Sequence, residues 1–172
     1  MTPLAVALLI CSDRAAAGVR GDATAELLAP PLVAAGHRLA TVRVVADERS
    51  AIAAAIRELA AGHPIVLTSG GTGLSPRDVT PEATRSVIER EVPGLAEAMR
   101  ARSLVATPMA MVSRAIAGTL GRALVINLPG SPKGALECLE VVLPVFGHAT
   151  RLLGGAVADC QQELARAKER NP

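Results

Sequence analysis

Short continuous runs of apolar residues alternate along the chain with longer stretches in which apolar residues recur every three or four positions. Continuous apolar runs of about four to eight residues are typical of strands that are buried on both faces of a parallel sheet. Such a run predicts a strand at residues 4–10, and short stretches rich in apolar or β-branched residues predict further strands at 39–45, 64–68 and 123–128.

The periodic stretches between these strands predict helices at residues 24–35, 47–61, 81–91 and 134–153, with a further helical turn at 93–102. Gly36 and Gly62 are placed to end the first two helices. Pro30 and Pro31 predict a kink or two short helices in place of one, and Pro144 predicts a bend or break in the last helix. Residues 107–118 are rich in small side chains and methionine and fit either a helix or irregular structure.

Strands that alternate with helices in this order predict a parallel sheet covered on both faces, which is a doubly wound α/β fold. A length of 172 residues suits one domain, which we assign to residues 1–157, followed by a charged tail at 158–172. In such sheets, ligands bind beyond the carboxyl ends of the strands. The loops at 12–22, 69–78 and 129–133, together with the turn at Asp47, are therefore expected to share one rim.

The composition excludes several classes of function. The net charge is only +2, the basic residues are scattered, and there is one Phe with no Tyr or Trp, so no nucleic-acid partner is expected. No apolar run reaches membrane-spanning length, and the N-terminus is interpreted as a strand and not a signal peptide, so we expect a cytoplasmic protein with no membrane partner. The three cysteines and three histidines match no metal motif, and Cys11 and Cys138 are interpreted as core residues.

A glycine-rich loop follows the predicted strand at 64–68 and leads towards a helix. Three glycines in four residues permit unusual backbone angles and a close approach to a ligand, and exposed N–H groups in such a turn bind anions. The alternative is a tight turn with no ligand. The candidate binding residues of this loop are Thr68, Ser69, Gly70, Gly71, Thr72 and Gly73.

Two aspartates are the candidate metal ligands. Asp78 follows the glycine loop and Asp47 follows the second strand, so both belong to the same rim. Carboxylates beside bound phosphates are typical ligands of Mg²⁺. The alternative for both residues is helix capping, and Thr80 is a further capping candidate ahead of Pro81.

Further polar residues on the same rim favour a polyanionic ligand. Each of them, taken singly, also fits an ordinary surface position. They are Ser113, Arg114, Ser131 and Lys133, the last two placed by a rigid turn at Pro129–Gly130. Ser12 and Asp13 are the candidates of the first loop, where Asp13 is a weaker metal-ligand candidate.

Residues 67–83, Ser113–Arg114 and 127–133 closely resemble the molybdenum-cofactor biosynthesis family, and Ser12–Asp13–Arg14 with Gly18 resembles its first loop. This family contains bacterial molybdopterin adenylyltransferases, MoaB-type proteins and the G domains of gephyrin and its plant counterpart. The similarity spans residues 4–155. The chain departs from the family at Ala46, where proline is frequent, and at Ser131, where asparagine or glutamine is frequent.

The resemblance implies a three-layer α/β fold, commonly a homotrimer, and the Mg²⁺-dependent reaction of ATP with molybdopterin to give adenylylated molybdopterin and pyrophosphate. Asp47 and Asp78 match the functional aspartates of the family, and the glycine loop matches its nucleotide and pterin contacts. The resemblance also suggests a downstream molybdenum-insertion protein as a partner. The alternative is a non-catalytic protein that binds molybdopterin as a scaffold or carrier.

Overall fold

The computed structural model of the protein describes residues 2–19 and 23–155, so the charged tail predicted at 158–172 lies outside the described residues. The described strands are β1 Ala5–Cys11, β2 Arg38–Val45, β3 Ile65–Ser69, β4 Arg90–Glu91, β5 Ala117–Leu120 and β6 Ala123–Leu128. The α-helices are α1 Asp13–Ala16, α2 Thr24–Ala34, α3 Arg49–Gly62, α4 Thr80–Arg85, α5 Pro93–Leu104, α6 Pro132–Val142 and α7 Phe146–Leu153. Two 3₁₀ helices cover Pro108–Val112 and Leu143–Val145.

These strands form one six-stranded sheet in the order β2-β1-β3-β6-β5-β4. Its first four strands are parallel to one another, whereas β5 and β4 are added antiparallel at the far edge. The four predicted strands are the four parallel ones, each placed within one residue of its predicted bounds at either end. The predicted doubly wound α/β class is confirmed, with a mixed sheet that is mostly parallel.

Alternate residues of β1 supply the two cores that lie on opposite faces of this sheet. Val6, Leu8 and Ile10 pack in the core that contains α2, α5 and α6, whereas Ala7 and Leu9 pack in the core that contains α3. Because successive side chains of a strand point to opposite faces, a strand covered on both faces must be apolar throughout. The three layers follow from this pattern.

The predicted helix at 81–91 is wrong in its second half. The helix α4 ends at Arg85, and the following backbone is extended because Glu89 N donates to Thr119 O (2.7 Å) and Val92 N donates to Ala117 O (2.8 Å). The partner of this backbone is the hairpin of β5 and β6, which begins in the region left ambiguous at 107–118. A pairing between distant segments has therefore overridden the local helical pattern.

The prolines of α2 and α6 behave differently. The alternative of two short helices at Pro30 and Pro31 is wrong, since α2 is continuous. Pro30 and Glu26, whose carbonyl loses its usual donor, are both exposed to water. The break predicted at Pro144 is confirmed, since a 3₁₀ turn separates α6 from α7. The prediction that Gly36 ends the first of these helices is also confirmed, since α2 ends at Ala34 and Gly36 has φ +79°.

Candidate functional site

Three loops are in direct contact where β1, β3 and β6 end, and glycine is required at that contact. Gly70 has φ +106°, and a Cβ atom on it would overlap the carbonyl oxygen of Cys11. A Cβ atom on Gly130 would lie 3.1 Å from the Cα atom of Gly70. A side chain at Gly70 or Gly130 would push these loops apart, so the two glycines allow the loops to pack together at the rim.

Gly71 and Gly73 each face one of the two predicted metal-binding aspartates. A Cβ atom on Gly71 would lie 3.2 Å from Asp47 Oδ1 and would overlap the hydroxyl of Thr80. A Cβ atom on Gly73 would lie 3.0 Å from Asp78 Oδ2. The structure thus brings Asp47 and Asp78 to the same loop backbone, as their positions after parallel strands predict.

Asp47 and Asp13 hold each other through reciprocal hydrogen bonds. The backbone N–H of Asp13 donates to Asp47 Oδ2 (3.0 Å), and that of Asp47 donates to Asp13 Oδ1 (2.9 Å). Arg77, which follows the glycine loop, donates to both carboxylate oxygens of Asp13 and to Glu48. Its guanidinium holds the pKa of the Asp13 carboxyl below the usual value of 3.8. This network fixes the loops after β1, β2 and β3 to one another.

The two oxygens of Asp47 differ in their surroundings. Oδ1 is buried and has no hydrogen-bond partner among the described residues, and burial raises the pKa of this carboxyl above 3.8. The alternative that Asp47 caps a helix is wrong, since α3 begins after Glu48 and has no side-chain cap. Thr80 is likewise no cap, because it is already the first residue of α4.

Asp78 has one oxygen held by the loop that precedes it. Ser75 N donates to Asp78 Oδ2 (2.8 Å), and Asp78 N donates to Ser75 O (2.9 Å), which closes a tight turn. No cluster of three or more His, Cys, Asp or Glu side chains suited to a metal occurs within residues 2–19 and 23–155. A divalent ion held by Asp47 and Asp78 would therefore need oxygens from its ligand, which is how Mg²⁺ binds together with phosphates.

Two cavities lie on either side of the glycine loop, with volumes of about 380 Å³ and 480 Å³. Both are lined by Gly71, Gly130 and Ser131, so the cavities adjoin one another. The other predicted residues that line the first cavity are Thr72, Gly73, Asp78, Ser113 and Pro129, and those that line the second are Ser12, Ser69 and Gly70. Ser131 is also the N-cap of α6, so the positive end of that helix faces the junction.

Other predicted site residues line neither cavity. Thr68 is buried and accepts a hydrogen bond from Asn127 (2.9 Å), and Asp13 and Asp47 accept each other's backbone N–H groups. Arg114 is engaged by the backbone of that loop. The side chain of Lys133 is 88% exposed, with Nζ 4.0 Å from Glu137 Oε1.

Several residues of the site were missed by the analysis of the sequence. Arg77 lies inside the quoted segment 67–83, yet nothing in the sequence indicates that it joins Asp13 to Glu48. Asn127 is buried and connects β6 to Thr68 and Thr84 through its side-chain nitrogen. The apolar wall of the first cavity comes from α5 and the 3₁₀ helix and is formed by Ala96, Met99, Ala110 and Val112.

A mixed sheet with a positive-φ glycine loop and two aspartates at the carboxyl rim places the chain among the α/β proteins, a class in which ligands generally bind at this edge of the sheet. Residues 7–148 match the family described as "probable molybdopterin binding domain". The chain belongs to this family of molybdenum-cofactor biosynthesis proteins.

Named relatives cover most of the chain. It is 38% identical over 161 residues to the molybdopterin adenylyltransferase of Helicobacter pylori strain J99, covering 90% of both chains. The crystal structure of the molybdopterin biosynthesis enzyme MoaB from Thermus thermophilus is 49% identical with a TM-score of 0.80, covering 88% of this chain and 97% of that one. The Mog protein of Mycobacterium ulcerans is 37% identical with a TM-score of 0.81, covering 87% and 99%.

Proposed function

We propose that this protein is a molybdopterin adenylyltransferase, which transfers AMP from ATP to the terminal phosphate of molybdopterin. A phosphate oxygen of molybdopterin forms a bond to the α-phosphorus of ATP, the bond from that phosphorus to the β-phosphate oxygen breaks, and pyrophosphate leaves. The observation that carries the proposal is the pair of adjoining cavities, which share Gly71, Gly130 and Ser131 beside two aspartates. The names and high coverage of the relatives support the same activity.

The shared edge of the cavities suits the meeting point of two phosphate groups. Each cavity falls within the range of about 300–1,000 Å³ that is usual for small-molecule sites. Backbone N–H groups of the glycine loop and the N-terminus of α6 favour negative charge at that edge. Phosphoryl-type transfer needs this positioning and charge stabilisation more than covalent help from the protein.

Asp47 and Asp78 would hold Mg²⁺ at this edge. The buried free oxygen of Asp47 and the approach of Asp78 to Gly73 fit a cation that completes its coordination with phosphate oxygens. When bound, the ion would neutralise charge on the triphosphate and on the leaving pyrophosphate. Ser113 and Ser131 remain proposed phosphate contacts.

The proposed assembly is a homotrimer that works in the cytoplasm, with a molybdenum-insertion protein as the proposed recipient of the product. None of the described helices is long and apolar enough to cross a membrane. The free thiols of Cys11 and Cys138 fit a reducing compartment. Exposed apolar side chains on the 3₁₀ helix Pro108–Val112 support self-association.

The experiment is to incubate the purified protein with molybdopterin, ATP and Mg²⁺ and to measure pyrophosphate and the adenylylated product. The wild type should release pyrophosphate in proportion to product, and Asp78→Asn should reduce the rate by orders of magnitude while it stays folded. Arg85→Ala, which removes an exposed ion pair with Glu91, is the matched control and should keep the rate. Molybdopterin binding without pyrophosphate release would instead identify a carrier or scaffold.

A further inference from the structure

Arg114 contacts the glycine loop and the residues after it through both its backbone and its side chain. Its backbone N–H donates to Thr72 O (2.9 Å), and Nε donates to Gly73 O (2.6 Å). Nη2 donates to the carbonyl oxygen of Asp78, and Nη1 pairs with Glu82 on α4. One side chain therefore connects the last glycine of the loop, the backbone of the candidate metal-binding aspartate and the helix that follows.

A second arginine binds the backbone on both sides of Arg114. Arg100 of α5 donates through Nη1 to the carbonyl oxygens of Ser113 (3.4 Å) and Ala115 (2.9 Å), the two residues that flank Arg114. The backbone N–H of Asn127 is held in the same region by Ile116 O (3.0 Å). The base of the Arg114 side chain is thus fixed to α5 and β6, so its planar head can hold the loop in one place.

We propose that Arg114 is a positioning residue that sets the place of Asp78 relative to the glycine loop and does not bind phosphate itself. The proposal rests on the proposed adenylyl transfer. Arg114 lines neither cavity, and its charge is already paired with Glu82. A phosphate that approached this guanidinium would compete with Gly73 O, Asp78 O and Glu82 for its three nitrogens.

The geometry makes arginine necessary at this position. Gly73 O, Asp78 O and Glu82 Oε1 are reached by three different nitrogens of one rigid fork. The ammonium group of lysine keeps the charge but is a single point on a flexible stem, so it cannot span the same three acceptors. Arg114→Lys therefore separates the loss of positioning from the loss of positive charge.

The test is calorimetric titration of ATP into the protein with and without Mg²⁺, alongside steady-state pyrophosphate release. In Arg114→Lys, the factor by which Mg²⁺ tightens ATP binding and the kcat should both fall about 10- to 100-fold, as for other groups that orient metal ligands. ATP binding without Mg²⁺ and the KM for molybdopterin should stay unchanged. Asp78→Asn should show the same pattern, whereas Arg85→Lys, on the same helix α4, should match the wild type.

Two results would overturn the positioning role. One is a large loss of Mg²⁺-free ATP affinity or a large rise in the KM for molybdopterin in Arg114→Lys, which would make Arg114 a direct phosphate ligand. The other is an unchanged Mg²⁺ effect on ATP binding in a folded Arg114→Lys protein. If Arg114→Lys does not fold, as judged by circular dichroism, Arg114→Gln is measured in the same way.

Failure of the proposed function is recognised separately, in the wild type. A wild-type protein that shows neither pyrophosphate release nor Mg²⁺-dependent ATP binding contradicts adenylyl transfer and leaves the loop contacts to be tested by amide hydrogen exchange. The amides of Ser75 and Asp78, which close the turn beside Arg114, should then exchange faster in Arg114→Lys than in Arg85→Lys. Equal exchange in the two variants would overturn the positioning role.

Discussion

The carboxylate of Asp47 is satisfied on one side only. Oδ2 accepts the backbone N–H of Asp13, whereas the buried Oδ1 has no hydrogen-bond partner in the described part of the chain. An ionised carboxylate in that position is unfavourable, and burial accordingly raises its pKa. Such a group is retained when a ligand needs it, so stability and activity should respond to Asp47 in opposite directions.

Asp47→Asn should raise the free energy of unfolding at pH 7 by up to about 1 kcal/mol, since the amide can still accept from Asp13 while the buried charge is removed. Because the pKa of Asp47 is raised above 3.8, its destabilising effect is fully present above that raised pKa and disappears as the pH falls towards 3.8. The gain should therefore shrink in urea titrations at acidic pH, while pyrophosphate release is lost at pH 7. An Asp47→Asn protein that is both less stable and fully active would contradict the ligand role.

Gly71 combines two requirements, a positive φ angle and a close approach of Asp47 and Thr80. Gly121 has nearly the same φ, +56° against +61°, but a Cβ atom there meets nothing within 4 Å. Gly121→Ala should lower the free energy of unfolding by about 1–2 kcal/mol through the backbone conformation alone. Gly71→Ala should lower it further and should also weaken ATP binding, because its Cβ atom would overlap the Thr80 hydroxyl and crowd Oδ1 of Asp47.

Urea unfolding and calorimetric ATP titration of both alanine variants measure these two effects. Equal stability losses, with ATP binding retained in the folded Gly71→Ala protein, would make the glycine loop an ordinary turn. That was the alternative left open by the sequence, and Gly121→Ala is the control that separates it from a binding loop.

At the scale of elements, the sequence was sufficient where a local pattern and the tertiary structure agree. The strands β1, β3 and β6 are mostly apolar because both faces of the sheet are covered, so their positions could be predicted. The strand β4 could not, since the pairing of Arg90 with Thr119 depends on a hairpin far along the chain. The residues before β4 therefore suggested a helix that the fold does not form.

A prediction at the scale of single elements concerns the continuous helix α2. Pro30 lies on its exposed side and removes one internal hydrogen bond, which normally costs about 3 kcal/mol in a helix interior. Pro30→Ala should raise the free energy of unfolding by about 1–2 kcal/mol, because the restored bond outweighs the greater freedom of the unfolded chain. Thermal and urea unfolding check this, with Pro3→Ala before β1 as a control that should change little; a less stable Pro30→Ala protein would mean that the proline ring itself contributes packing.

At the scale of the whole molecule, the convergence of Asp47, Asp78 and Ser131 on one rim could be predicted, because parallel strands end at the same edge of a sheet. The partners within that rim could not, because a sequence does not show which acceptors an arginine will reach. Arg114 was expected to bind phosphate, and its observed bonds to Gly73 and Asp78 depend on the packing of α5 and β6. The apolar wall of the first cavity could not be predicted either, because it also forms only when α5 and the 3₁₀ helix pack in the folded chain.

Assembly is the prediction that belongs to the whole molecule. A cluster of exposed apolar side chains, which we call the 104–112 patch, is formed by Leu104, Val105, Met109, Met111 and Val112. Val105 is 79% exposed and Met111 is 68% exposed. Single apolar residues on a surface are ordinary, but a contiguous cluster marks an interaction surface, and methionine adapts to imperfect fits. The patch adjoins the first cavity through Met109 and Val112.

Light scattering at micromolar concentration should give three times the monomer mass of 17.6 kDa, through a head-to-tail contact that closes with threefold symmetry. The double substitution of Val105→Glu and Met111→Glu should yield monomers, whereas Val33→Glu, 65% exposed on α2 and outside the patch, should not. Because the candidate site residues lie together at one rim of the sheet within a single chain, the monomeric variant should keep pyrophosphate release. A monomeric wild type would refute the trimer, a dimer would contradict the threefold contact, and an intact trimer in the double variant would move the interface away from the 104–112 patch.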